Sequence, residues 1–397
     1  MRGKISVYLI IILSFTGQVF SQYNENNIPV TKHYPVIELK FHTGKIVKNY
    51  SEIPDRKQAY LFELMLGEQT NGNKSWQQIY GLPQTGLSFI YGQLGNKGEL
   101  GNVFGIVPNL TFNTVRQKIW NVKVTLGIGL AYFNKPFNKE TNPENKLIGS
   151  AITNMSFASA YFQFNLSPSF STMAGITSLH CSNGHYQVPN VGLNMQTLNL
   201  GLKYYLNGKI TNYEPKETEV PKGIIKKNIR IGVGIHEFAK TTGPVGGPKY
   251  PIYITSFYLS KRYGKVSNVH AGIELKHYAS YYNYIADSSL YENKERLNAT
   301  VFTFFMAHEL MVGRLSLVTQ GGLDLFNPFY ARYYKETVGT KNGLFRFLET
   351  VTSTRLGLQY YVFDTKFNNA RNLFFGIYIK ANFGQADFLC MDIGFTF

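Results

Sequence analysis

The sequence is built from segments of about ten residues in which apolar side chains alternate with polar or small ones. The end of the chain, "ADFLCMDIGFTF", shows the pattern, with Leu389, Met391, Ile393, Phe395 and Phe397 on one face and Cys390, Asp392, Gly394 and Thr396 on the other. Successive side chains of a β-strand point to opposite faces. An apolar face backed by a polar one is what a strand needs between lipid and a lumen.

Sixteen such segments can be delimited, eight before and eight after a polar stretch at 207–228. The predicted strands are 36–47, 57–67, 86–97, 101–114, 119–133, 150–165, 169–182, 193–206, 228–238, 251–262, 266–282, 299–312, 313–326, 344–362, 371–382 and 386–397. Backbone groups in lipid must all be paired, and closing the sheet removes its unpaired edges. The predicted fold class is therefore all-β, a transmembrane antiparallel up-and-down β-barrel.

Two arrangements of these strands are open. The single terminal Phe397 resembles the sorting signal of bacterial outer-membrane barrels, which favours one barrel of roughly 14–16 strands. The length of the 207–228 stretch favours two eight-stranded units instead. We expect the single barrel and keep the two units as the alternative.

Composition excludes an ordinary soluble domain. Charged residues make up 16% of the chain and aromatic residues 15%, whereas soluble domains carry about 25% charged residues. After residue 22 there is no run of about 20 apolar residues, so no transmembrane helix is expected. The abundant Tyr and Phe fit the aromatic girdles of a membrane barrel.

The first 21 residues predict a secretory signal peptide. Arg2 and Lys4 precede a short apolar core, and Val19 and Ser21 stand where a signal peptidase reads the chain. Export makes nucleic acid an improbable partner for a chain of net charge +16. An anionic membrane surface or a phosphorylated lipid fits this charge better, although the charge could also serve only to keep loops solvated.

The stretch "SLHCSNGHYQVPNVGLN", residues 178–194, carries the candidate chemistry. Alternation places His180 and Ser182 on one face and Cys181 on the other, while Asn194 shares the apolar face of 193–206. A serine hydroxyl is a weak nucleophile until a nearby base takes its proton. A Ser-His pair on the outer wall of a barrel would meet a lipid rather than a water-soluble substrate.

This stretch resembles the signature of the outer-membrane lipid A 3-O-deacylase (PagL) family and of its longer acyloxyacyl hydrolase relatives from Bacteroidetes. The resemblance runs without a gap from His180 to the residue at 194. It implies that Ser182 is the nucleophile, His180 the general base, and Asn183 and Asn190 the side chains that stabilise the oxyanion. It also implies that residues 36–206 form an eight-stranded barrel whose last two strands carry the motif.

The sequence departs from the family pattern at Asn194, where the family has Glu. An Asn carbonyl can still accept the imidazole N–H and orient His180, but it supplies no negative charge to an imidazolium. Three hypotheses follow: a slower hydrolase, a carboxylate supplied from elsewhere in the chain, or a site that binds lipid A without cleaving it.

We therefore expect a serine esterase of the Gram-negative outer membrane that removes an ester-linked acyl chain from lipid A. Lipid A, or lipopolysaccharide, and outer-membrane lipids are its expected partners, a homodimer is left open, and neither a cofactor nor a metal is expected. The predicted organisation is a signal peptide at 1–21, a deacylase-like barrel region at 22–206, a linker at 207–228 and C-terminal strands at 229–397. The alternative is a non-catalytic barrel, either porin-like, structural or lipid-binding.

Overall fold

Sixteen antiparallel strands make up most of the protein in a computed structural model, which describes residues 32–48, 53–210, 223–338, 343–365, 371–383 and 385–397. The predicted signal peptide lies outside the described residues. The first eight strands are β1 (Pro35–Ile46), β2 (Ala59–Gln69), β3 (Gln84–Gln93), β4 (Asn102–Arg116), β5 (Trp120–Phe133), β6 (Ile152–Asn165), β7 (Phe170–Ser182) and β8 (Leu193–Tyr205). The second eight are β9 (Ile225–Glu237), β10 (Lys249–Tyr263), β11 (Ser267–Tyr278), β12 (Thr300–Val312), β13 (Leu315–Phe326), β14 (Thr352–Tyr361), β15 (Asn372–Asn382) and β16 (Gln385–Thr396).

These strands form two closed barrels of eight strands each. In the first, β8 turns back to pair with β1, from Val36 opposite Tyr205 to Ile46 opposite Met195. In the second, β16 pairs with β9. The predicted class, an antiparallel up-and-down barrel, is confirmed. The alternative of two eight-stranded units is the arrangement observed, and the single barrel of 14–16 strands is wrong because β8 closes on β1 instead of continuing into β9.

Within the described residues, five helices interrupt the connections: α1 (Ser75–Ile79), α2 (Ala279–Asp287), α3 (Glu295–Asn298), α4 (Pro328–Val338) and α5 (Gly343–Val351). The predicted strand 344–362 is wrong in its first part, which forms α5, because Leu344, Phe347, Leu348 and Val351 recur at the spacing of a helix. The predicted strand 266–282 likewise runs into α2. Strand β9 begins at Ile225, three residues before the predicted start of that strand at 228.

The walls show the predicted alternation. On β8, Leu198, Leu200 and Leu202 point outward and are more than half exposed, while Lys203 is buried in the lumen. The outward face of both barrels is thus an apolar surface suited to lipid. No helix among the described residues is long and apolar enough to cross a membrane.

Both lumens are packed with paired charges. In the first barrel Lys40 Nζ lies 2.8 Å from Glu38 and 3.2 Å from Glu63. In the second, Arg355 Nη1 lies 2.7 Å from Asp392. Buried charges need such partners, because an unpaired charge in the interior is costly.

Each barrel has a small cavity. One of about 10 Å³ lies beside His42 in the first lumen, and one of about 50 Å³ lies beside Arg262 at the end of the second. Such volumes suit one or a few water molecules.

The two barrels belong to one compact unit, residues 33–397, and contact each other at both ends. At one end, which we call the motif end, the β7–β8 connection meets the β9–β10 connection through backbone hydrogen bonds. At the opposite end, the Tyr80 hydroxyl donates to the carbonyl of Met311, 3.0 Å away. The first barrel is thus fixed against the second beside the predicted catalytic motif.

Candidate active site

The β7–β8 hairpin positions the motif at the edge of the first barrel. His180 on β7 lies directly opposite Asn194 on β8. His180 is exposed on the outward face, and Cys181 is fully buried among the apolar residues of the lumen. The structure therefore places His180 and Cys181 on the faces that the alternation predicts.

Asn194 orients the imidazole of His180. The His180 Nδ1 atom lies 2.7 Å from Asn194 Oδ1. Because an amide oxygen can only accept, this contact assigns the proton to Nδ1 and leaves the lone pair of Nε2 available as a base. The side chain at 194 thus supplies orientation, and among the described residues no carboxylate is paired with His180.

Ser182 is the last residue of β7, two positions after His180. It lies under the motif loop, which we define as residues 183–192. The residue is only 7% exposed to solvent. Its Oγ accepts hydrogen bonds from Asn190 Nδ2 at 2.9 Å and from the Gly184 N–H at 3.2 Å. A hydroxyl has two lone pairs and one proton, so both lone pairs are engaged and the proton remains available for donation to a base.

Gly192 lies close to both His180 and Ser182. It has a φ of +82°, and a Cβ built there would lie 3.2 Å from His180 Cε1 and 3.8 Å from Ser182 Cβ. The imidazole and the serine therefore flank a single point beside this glycine. No hydrogen bond joins the two side chains among the described residues, and such catalytic bonds commonly shorten when substrate binds.

The two predicted oxyanion residues differ in what they contact. Asn190 donates to Ser182, and its Oδ1 accepts the backbone N–H of Asn183 at 3.1 Å. The Asn183 amide nitrogen donates instead to Ser150 Oγ and to the Gln187 carbonyl. Asn190 is thus beside the nucleophile, whereas the side chain of Asn183 braces the loop.

The backbone N–H of Gly184 is a donor that the sequence reasoning missed. It points at Ser182 because Gly184 has a φ of +67°, which a residue without a Cβ adopts readily. The signal in the sequence was the glycine two residues after the serine. Gly192 was also missed as a positioning residue, although it lies within the motif.

The outward surface around His180 is polar over a small area. One step further from the loop, Gln196 Nε2 donates to Ser178 Oγ at 2.8 Å, and both residues are exposed. The next outward residues, Ile176 and Leu198, are apolar and more than half exposed. The site therefore lies where the apolar wall gives way to a polar rim.

The loop also contains a buried histidine. The His185 ring donates from Nε2 to the carbonyl of Ala239 in the second barrel, at 3.0 Å. Burial lowers the pKa of His185 below its usual value, because the interior disfavours the charged ring. Among the described residues no group of three or more His, Cys, Asp or Glu side chains could hold a metal ion.

Comparison with known families divides the chain as the barrels do. The family model for lipid A 3-O-deacylase (PagL) matches residues 61–203, which contain the motif. A second family model, for the acyloxyacyl hydrolase C-terminal domain, matches residues 225–397. No curated protein matches the sequence.

Several solved outer-membrane barrels are similar to one half of the chain. The outer-membrane enzyme PagL is 17% identical with a TM-score of 0.31, over 41% of this chain and 97% of that one. Neisserial surface protein A is 9% identical with a TM-score of 0.31, over 43% and 96%. The N-terminal β-barrel domain of Pseudomonas aeruginosa OprF is 10% identical with a TM-score of 0.27, over 44% and 100%.

Proposed function

We propose that this chain, which belongs to the lipid A 3-O-deacylase (PagL) and acyloxyacyl hydrolase family, is an outer-membrane serine esterase that hydrolyses an ester-linked acyl chain of lipid A. The observation that carries the proposal is the set of contacts around Ser182. Its oxygen accepts hydrogen bonds from two donors, and His180, two residues earlier on β7, has its Nδ1 held by Asn194.

The reaction follows from this geometry as two acyl transfers. In the first, Ser182 Oγ attacks the ester carbonyl while His180 Nε2 takes the hydroxyl proton. The ester carbon–oxygen bond then breaks, and His180 returns the proton to the departing sugar hydroxyl. In the second transfer, His180 takes a proton from water, the resulting hydroxide attacks the acyl-serine, and the fatty acid leaves as Ser182 regains its proton.

Asn190 and Gly184 supply the electrostatic support for these steps. Their N–H groups surround Ser182 Oγ, at 2.9 and 3.2 Å, next to where the carbonyl oxygen of the substrate becomes negative. A donor placed at such an oxyanion is worth about 3 kcal/mol in the transition state. The proposed acylation therefore needs no cofactor.

The location of the site favours a lipid substrate. His180 faces outward at the boundary between the apolar wall and the polar rim, where the ester bonds of a membrane lipid lie between its acyl chains and its head group. Close to the loop, Lys249 Nζ lies 5.0 Å from the ring centroid of Tyr186. A cation at that position would attract the phosphates of lipid A. We infer that the predicted signal peptide directs the chain to the outer membrane.

A non-catalytic lipid-binding barrel is the second candidate, because Asn194 supplies no charge to an imidazolium. Of the three sequence hypotheses, a carboxylate supplied from elsewhere is the least supported, since none is paired with His180 among the described residues. A porin-like channel is disfavoured by the ion pairs that fill both lumens.

The test is mass spectrometry of lipid A after incubation with the refolded protein and with its Ser182→Ala variant. A matched control is Ser171→Ala, which makes the same change at a buried position near the opposite end of the same strand. We expect the wild type and Ser171→Ala to remove one acyl chain and Ser182→Ala to remove none. Unchanged lipid A with a folded wild type would refute the esterase and leave the lipid-binding barrel.

A further inference from the structure

The motif loop is held by the second barrel as well as by the first. The backbone N–H of Asn190 donates to the carbonyl of Thr241 at 2.9 Å, and the N–H of Glu237 donates to the carbonyl of His185 at 3.2 Å. The His185 ring donates to Ala239, as described above. Hydrogen bonds from the end of β9 and the β9–β10 connection thus reach several points along the loop.

Glu237, the last residue of β9, contacts both the motif loop and the β9–β10 connection. The side chain is fully buried. One carboxylate oxygen accepts the Val188 N–H of the motif loop at 3.1 Å, and the other accepts the Gly247 N–H of the β9–β10 connection at 2.8 Å. A buried carboxylate is tolerated only with such partners, and here each barrel contributes one of them.

Packing strengthens the same contact. A Cβ built on Gly184 would lie 3.4 Å from Leu389 Cβ and 3.8 Å from Ile379 Cγ1, both on the outer wall of the second barrel. These two residues are partly buried, whereas Ile377 and Met391, the next outward pair, are more than half exposed. The motif loop therefore covers the wall of the second barrel at this point.

We propose that the second barrel is part of the active site and that Glu237 is a positioning residue for acyl transfer. This inference rests on the proposed function. Glu237 holds the motif loop through Val188, while Thr241 holds the backbone of Asn190, whose side chain donates to Ser182. If the loop moves, Asn190 moves with it, and a misplacement of about 1 Å can cost about 100-fold in rate.

The variant Glu237→Gln tests this role with little change in side-chain shape. An amide offers one acceptor oxygen in place of two, so either the Val188 N–H or the Gly247 N–H faces an NH₂ group instead of an acceptor. We expect kcat on lipid A to fall about 10-fold with KM unchanged. We also expect faster hydrogen exchange in the peptide that covers residues 183–192, measured by mass spectrometry.

The matched control is Glu309→Gln, a buried carboxylate inside the lumen of the second barrel. Glu309 accepts from Ser316 and Tyr361, at 2.6 and 2.9 Å, and contacts no part of the motif loop. Its loss should destabilise the second barrel and leave both kcat and exchange of residues 183–192 unchanged. If the two variants change kcat and loop exchange equally, Glu237 contributes only to the general stability of the protein, and the proposal is overturned.

The exchange measurement separates this inference from the proposed function. If the wild type proves inactive on lipid A, the proposed function fails, and loop exchange still shows whether Glu237 holds residues 183–192. Faster exchange in Glu237→Gln alone would support the positioning contact. Unchanged exchange, or an unchanged kcat in an active protein, would refute it.

Discussion

The last hairpin of each barrel presents a different pair of residues to the outside near the motif end. On β7 and β8 the pair is His180 opposite Asn194, and on β15 and β16 it is Ile379 opposite Leu389. Both hairpins close an eight-stranded barrel with the same alternation. Closure therefore requires no polar pair at this position. A polar pair at the edge of an apolar wall is costly, which supports the proposed role of His180 in acyl transfer.

The comparison also assigns different roles to the two barrels. The first carries the proposed reacting groups, whereas the second packs its apolar pair against the motif loop and contacts this loop through Glu237. A loop on a barrel rim is usually among the more mobile parts of a protein. Support from a neighbouring barrel can give such a loop the fixed geometry that acyl transfer demands.

The largest expected change in kcat distinguishes two exposed histidines, one on each barrel. His180→Gln should lower kcat about 1,000-fold, because the general base is lost. His308 also faces outward, on β12 of the second barrel, and His308→Gln should leave kcat unchanged. Steady-state deacylation of lipid A by the two variants checks this, and comparable losses would show that the reacting histidine has been misassigned.

An intermediate effect compares two glycines with a positive φ. Gly192→Ala forces a Cβ to within 3.2 Å of the His180 ring, whereas Gly264, at a turn of the second barrel with a φ of +67°, has open space around its Cβ position. Both changes should cost about 1–2 kcal/mol of stability through backbone strain. Only Gly192→Ala should also lower kcat, roughly 10- to 100-fold.

Thermal unfolding and deacylation rates of the two glycine variants separate strain from displacement of the imidazole. If Gly264→Ala lowers kcat as much as Gly192→Ala does, the lower kcat of both variants results from reduced stability of the folded protein. The position of His180 beside Gly192 would then not matter to catalysis.

The smallest expected effect restores the family residue in the first barrel. Asn194→Glu gives the imidazolium a charged partner, and a hydrogen bond to a charged group is about 1 kcal/mol stronger than one between neutral groups. We expect kcat to rise about 5- to 10-fold. No gain in a folded variant would count against the hypothesis that Asn194 limits the rate.

Much of the fold followed from local pattern, and the rest depended on pairing between distant segments. Alternation predicts strands such as β16 because lipid and lumen select opposite residue types on successive positions. Whether β8 pairs with β1 or continues into β9 depends on contacts far apart in sequence, which no local pattern records. The helix α5 was missed because its short apolar run also reads as a strand.

The candidate site also has a part that local sequence predicts and a part that depends on contacts between distant segments. His180, Ser182, Asn190 and Asn194 lie within one hairpin, so a single stretch of sequence predicts that they are close. Glu237 lies 49 residues from Val188 along the chain, and nothing in its local sequence singles it out. Its contact with the motif loop depends on how the two barrels pack, which no local pattern records.

The most direct test of the central claim is to label the nucleophile of the folded, full-length protein with a long-chain fluorophosphonate, followed by peptide mass spectrometry. The account predicts one adduct, on the peptide that contains Ser182, formed at least about 100-fold more slowly in His180→Gln because the base activates the serine. An adduct on another residue, or no adduct on a protein that is folded and embedded in lipid, would contradict it.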